Sequence, residues 1–131
     1  DLIVSQNVMK GLINSKNKNF ILLRNLKNQN ETVLQKVEEK NGRIKRMDLK
    51  LNPPYNAEAI GPVKFSNYAR MKLIDLYNNL PEKKSRKIPC YSLFGLFALN
   101  GKLNGEYIDN DEWIEINTIE DLEKGKLKWG K

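Results

Sequence analysis

The apolar positions of this chain change period several times, and each change marks an element. Leu2-Ile-Val4 begins a short apolar run, so residues 1–5 read as a buried strand. Val8, Leu12 and Ile13 then fall on one face of a helix over 6–15. Phe20-Ile-Leu-Leu23 is continuous rather than alternating, as suits a strand covered on both faces. Val33 and Val37 keep strand spacing, Asn41-Gly42 supplies the two positive-φ residues of a type I′ turn, and Ile44–Leu51 returns as the partner strand. Asn52-Pro-Pro54 interrupts the chain before a further strand over 57–65. Ser66 is placed to cap a helix over 67–79, in which Tyr68, Met71, Ile74 and Tyr77 hold helical spacing. Pro81 ends that helix and a basic loop, 83–87, follows. Tyr91–Leu99 reads as an apolar helix closed by Asn100-Gly101. Short strands at 106–108 and 113–116 precede a last helix, opened by the capping box of Thr118-Ile-Glu-Asp121 with Ile119 and Leu122 facing inward.

Strands and helices thus alternate around one inserted hairpin at about 32–51. There is no internal repeat and no interdomain linker, which predicts one α/β domain with a mixed sheet and flanking helices. At 131 residues it is large enough to bury a core without disulfide or metal staples. Asp1-Leu-Ile-Val-Ser opens inside a strand with no initiator Met, so further residues are expected upstream.

Composition narrows the chemistry. With no His and a single Cys, Cys90, imidazole bases and the usual zinc sites are excluded. One cysteine also points to a reducing, cytoplasmic setting. The apolar runs are too short for a membrane span, so no membrane partner is expected. The net charge of +7 raises nucleic acid as a partner. Positions 1–50 hold 11 Lys/Arg against 5 Asp/Glu, and positions 51–131 hold 12 against 11. The excess is mostly scattered Lys, without the Arg forks and stacking aromatics of base recognition, so a solvated basic surface is the better reading.

Three patterns carry candidate chemistry. Asp1, at the front of the first strand, is a carboxylate suited to holding Mg²⁺; the alternative is a terminal residue with no role. Glu115 and Asn117 lie on the face opposite Ile114 and Ile116, within a stretch from Gly105 to Glu123 that holds eight Asp/Glu and no Lys/Arg. Their side-chain oxygens are able to complete a cation site, although Thr118, Glu120 and Asp121 serve the helix cap whatever else holds. In Ala57-Glu-Ala-Ile-Gly-Pro-Val-Lys64, Glu58 is placed to orient a substrate hydroxyl or amine and Lys64 to meet a phosphate. Gly61 leaves room for close approach. An edge strand with its polar face in water explains the same residues.

Four segments in order carry a family resemblance: Asp1-Leu-Ile-Val-Ser, Lys36-Val-Glu-Glu-Lys-Asn-Gly-Arg-Ile44, Ala57-Glu-Ala-Ile-Gly-Pro-Val-Lys-Phe-Ser66, and Trp113-Ile-Glu-Ile-Asn-Thr-Ile-Glu-Asp-Leu122. The chain resembles the C-terminal, substrate-side part of the nucleotidyltransferases that activate sugar phosphates, phosphocholine or aminoalkylphosphonates. The resemblance implies a Rossmann-like fold and transfer of a nucleoside monophosphate from an NTP to a small phosphorylated substrate. It implies pyrophosphate release, and Mg²⁺ shared between Asp1 and Asn117, where many members have Asp; with a neutral amide there, either the metal binds less tightly or Glu115 assists. The family's Gly-rich phosphate loop has no counterpart here, so a missing N-terminal half or partner chain, and inactivity of the chain alone, are expected. Two rival classes remain at this level: an RNA-binding module using Lys10 to Lys50, and a metal-dependent glycosyltransferase-like domain.

Overall fold

In chain order the elements are β1 (Leu2–Val4), α1 (Gln6–Asn14), β2 (Phe20–Asn25), β3 (Lys36–Lys40), β4 (Arg43–Asp48), β5 (Ala57–Lys64), α2 (Asn67–Asn78), α3 (Cys90–Ala98), β6 (Asn104–Tyr107), β7 (Trp113–Glu115) and α4 (Ile119–Trp129). The computed structural model describes residues 2–26, 31, 33–82, 87–100, 102–109 and 111–130. They belong to two compact units: a central unit, Asn17–Tyr107, and a terminal unit, Asp1–Lys16 with Ile108–Lys131.

The central unit is built on the run that the pattern marks as buried on both faces. Phe20, Ile21, Leu22 and Leu23 are all buried in β2, each side chain contributing about 2 kcal/mol of apolar burial. β2 pairs antiparallel with β5 and parallel with β6. β5 pairs with β3, β3 with β4, and β4 with β6, so the order β2-β5-β3-β4-β6 closes into a five-stranded barrel. Closure occurs beside the Asn41-Gly42 turn, where Gly105 N–H donates to Gly42 O (3.0 Å) and Ile44 N–H to Leu103 O (3.0 Å). Asn41 and Gly42 take φ of 55° and 77°, the two left-handed residues that twist a tight hairpin correctly. Helix α3 lies directly on β4, and α2 packs against α3. The core joins Ile21, Leu23, Val37, Ile44 and Met47 to Leu73, Phe97, Ala98 and Leu103. Phe65 makes edge contacts with Phe94 (5.1 Å) and Phe97 (5.8 Å) that extend it between the helices.

In the terminal unit, β1 and β7 form a separate antiparallel pair, with Leu2 opposite Glu115, Ile3 opposite Ile114 and Val4 opposite Trp113. Ser5 turns the chain from β1 into α1: its N–H donates to Glu112 O (2.8 Å), and its Oγ accepts from Val8 N–H (3.2 Å) as the N-cap. Thr118 and Asp121 form the reciprocal capping box of α4. Gly125 is the buried position of α4, beside Ile3, Ile114 and Ile116. Among the described residues, neither outer edge of this pair meets another strand.

Several sequence expectations change. The mixed α/β class holds, but the strands divide between a barrel and a separate pair rather than one Rossmann-like sheet. On α2 the buried residues are Ala69 and Leu73, so the Tyr68, Met71, Ile74, Tyr77 series faces outward. Spacing by three drifts around a helix by about 60° per step, so a long i+3 series cannot lie on one face. In α1, Val8 and Leu12 are buried but Ile13 is 70% exposed; in α4, Ile119 is 80% exposed. Leu122 is exposed as well. The helix over 91–99 begins one residue earlier and ends one earlier, while the basic loop at 83–86, and Gly101 expected to close the helix, lie outside the described residues.

Candidate functional site

The candidate residues fall into two sets. Glu58, Gly61 and Lys64 all lie on β5 in the central unit. Glu58 stands directly opposite Arg24 of β2. Arg24 is only 9% exposed, and its guanidinium meets Glu58 Oε2 through both Nε (2.8 Å) and Nη2 (2.6 Å). Its Nη1 meets Glu31 Oε1 at 2.8 Å. The second Glu58 oxygen accepts from Leu34 N–H at 2.9 Å. One buried cation is thus shared by two carboxylates, and Glu58 locks the segment before β3 onto the barrel.

Gly61 has φ of 115°, a conformation that favours glycine. The β2–β5 register shifts across this point, from Ile21 opposite Val63 to Leu23 opposite Ala59. Gly61 therefore sits in a bulge, which interrupts the strict alternation between Glu58 and Lys64. Lys64 follows the bulge, half-buried and opposite Phe20.

Glu115 and Asn117 lie in the terminal unit, at and just beyond the end of β7, and both are exposed. Asn117 N–H and Thr118 N–H both donate to Asp121 Oδ2, at 3.2 and 3.0 Å. Asp121 is held below the usual carboxylate range by the Thr118 hydroxyl first, then by the Asn117 N–H. Capping thus uses the backbone of Asn117 and its side chain is left to other work. Asp1 lies outside the described residues. Among the described residues there is no cluster of three or more His, Cys, Asp or Glu able to hold a metal. The donor set present, one carboxylate and one amide oxygen at a strand end, fits an Mg²⁺ ion that keeps several waters and takes its remaining ligands from phosphates.

A second polar pair lies at the barrel rim. Tyr107 hydroxyl donates to Glu39 Oε2 at 3.0 Å, and Glu39 also accepts from Gly42 N–H. Burial, then that hydrogen bond and the carboxylate's charge, push the Tyr107 phenol up to about 12. Sequence reasoning missed Arg24 as the partner of Glu58. The available signal was a cation at the end of the run Phe20–Leu23, where an isolated buried charge requires a carboxylate.

No protein-family model matches the chain, and no curated protein matches it. Solved structures do. A protein assigned as glucose-1-phosphate thymidylyltransferase from Bacillus anthracis, solved with sucrose, matches with a TM-score of 0.71 and 15% identity, over 100% of this chain and 52% of that one. The nucleoside-diphosphate-sugar pyrophosphorylase of Vibrio cholerae RC9 matches with a TM-score of 0.61 and 11% identity, over 93% of this chain and 49% of that one. The chain therefore spans about half the length of the structures it resembles, and what it shares with these sugar nucleotidyltransferases is a fold.

Proposed function

We propose that this chain supplies the acceptor side of a nucleotidyltransferase that moves a nucleoside monophosphate from an NTP to a sugar phosphate. The observation that carries the reading is the match of the whole chain, at a TM-score of 0.71, to a protein assigned to that activity. The order of the four sequence segments supports it independently. In this reading Asp1, Asn117 and Glu115 hold Mg²⁺, which when bound neutralises phosphate charge. Lys64 attracts the acceptor's phosphate. Glu58, fixed by Arg24, orients an acceptor hydroxyl through the rigid β5 segment, and the Gly61 bulge re-aims the strand beside it. The acceptor phosphate is already ionised at neutral pH, so attack on the α-phosphorus needs positioning and charge rather than a general base. A chain with no histidine suits that chemistry.

The test is acceptor-dependent pyrophosphate release by the protein that carries this chain, with Mg²⁺, each common NTP and a panel of sugar 1-phosphates. Binding of the same sugar phosphates to residues 1–131 is followed by saturation-transfer NMR. The expected result is release with at least one NTP and acceptor pair, and acceptor binding that Lys64→Gln weakens. Absence of both, with steeply salt-dependent binding of polynucleotides instead, overturns the reading in favour of an RNA-binding module.

A further inference from the structure

Away from β5, the central unit holds a cleft of about 400 Å³ lined by Tyr68, Lys72, Asp75 and Leu76 of α2, and by Phe97, Asn100 and Lys102 in and after α3. That volume lies within the range of pockets that take drug-sized ligands. Its lining is graded. Phe97 is fully buried and Leu76 partly so, giving an apolar floor; the Tyr68 ring stands exposed as a wall. Two ammonium groups are held there by weak partners. Lys102 Nζ rests over the Tyr68 ring, 4.9 Å from its centroid, and Lys72 Nζ reaches Asp75 Oδ2 only at 3.8 Å. Each is a mobile point charge on a long stem, able to turn to a stronger anion. Asn100 adds an amide that both donates and accepts.

We propose that this cleft is a ligand site for a phosphate ester bearing a flat ring, of the size of a nucleoside monophosphate. The phosphate draws Lys72 and Lys102 together, replacing a long ion pair and a cation–π contact with charge-assisted hydrogen bonds. The ring packs against Tyr68 and the floor of Leu76 and Phe97, and Asn100 reads a ring edge or hydroxyl. Inorganic phosphate alone would fill a small part of the cleft and leave the aromatic wall uncovered. A neutral nucleoside would leave both ammonium groups unanswered. The proposal involves none of Asp1, Glu58, Gly61, Lys64, Glu115 or Asn117, so it stands or falls separately from the transfer reaction.

The experiment titrates ¹⁵N-labelled chain with uridine 5′-monophosphate, uridine and inorganic phosphate, following amide shifts and measuring Kd by calorimetry. The monophosphate should shift the amides of Tyr68, Lys72, Asn100 and Lys102 and bind more tightly than phosphate, while uridine binds negligibly. Lys72→Gln/Lys102→Gln should raise its Kd by at least about tenfold, the scale of hydrogen bonds to charged groups. Lys72→Arg/Lys102→Arg should restore most of the affinity. Lys45→Gln/Lys50→Gln, which removes the same charge from exposed positions outside the cleft, should leave Kd unchanged. Tyr68→Ala should weaken the monophosphate but not inorganic phosphate. Shifts that map elsewhere, equal Kd values for wild type and Lys72→Gln/Lys102→Gln, or uridine binding as well as its monophosphate would each overturn the proposal. Monophosphate binding at this cleft in a protein that releases no pyrophosphate would uphold it while removing the transferase reading.

Discussion

Replacing Gly95 by Ala should destabilise the central unit, although alanine is the better helix former. Gly95 is buried in the middle of α3, where that helix crosses β4. A Cβ built there falls closer than 3.0 Å to the Met47 carbonyl oxygen, 3.1 Å from its carbonyl carbon and 3.7 Å from its Cα. These are backbone atoms of a paired strand, since Met47 stands opposite Val37, so no side chain can swing away to make room. The helix has to retreat by about 1 Å, which costs its contacts a quarter to a half of their dispersion energy. Phe97 and Ala98 share that interface and are both 2% exposed. Overpacking of this kind costs about 3 kcal/mol, and the helix-propensity gain from Gly to Ala returns about 1 kcal/mol, leaving a net loss of about 2 kcal/mol. The assay is urea unfolding read by tyrosine signals, because all five tyrosines lie in the central unit while both tryptophans, Trp113 and Trp129, lie in the terminal one. The tyrosine midpoint should fall while m stays constant. Gly11→Ala is the matched control: nothing lies within 4 Å of its Cβ position in α1, so it should be neutral or stabilise the terminal unit by about 0.5–1 kcal/mol. A Gly95→Ala protein as stable as the parent would refute the close-approach argument.

Glu58→Ala leaves Arg24, nearly buried, with Glu31 as its remaining carboxylate partner and Leu34 N–H without an acceptor. Breaking a buried pair by removing one member costs about 3–5 kcal/mol, and the partner left by Glu31 brings the expected loss to about 2–3 kcal/mol, measured by denaturant unfolding; a change under about 0.5 kcal/mol, the level of ordinary surface substitutions, would mean the cluster is not a structural lock. Tyr107 has its folded pKa raised, so its contribution to stability is complete below the unfolded value near 10 and is lost as pH rises towards about 12. Absorbance at the tyrosinate band should show a late-titrating step from Tyr107, and Tyr107→Phe should abolish that step and flatten the stability of the central unit between pH 10 and 12.

What could be read from the sequence was local. Asn41-Gly42 specified its turn because few residues tolerate two successive positive φ angles, and Ser66 and Thr118 specified helix starts because their oxygens satisfy nearby N–H groups (Ala69 at 3.2 Å, Asp121 at 3.1 Å). The unbroken run at Phe20–Leu23 specified a strand covered on both faces for the same kind of reason: no periodic polar position was left for water. Which strands became neighbours was not encoded at short range. The parallel pairing of β2 with β6 joins residues more than eighty positions apart, and the separation of β1 and β7 into their own pair unites the two ends of the chain. Only the pairing of β2 with β5 brought Arg24 across from Glu58, and only the packing of α3 on β4 gave Gly95 its meaning. Helix faces show the division most plainly. Ala69 and Leu73, four apart, share one face of α2 as the Tyr68–Tyr77 series cannot, and the packing of α2 against α3 decided that this face is buried.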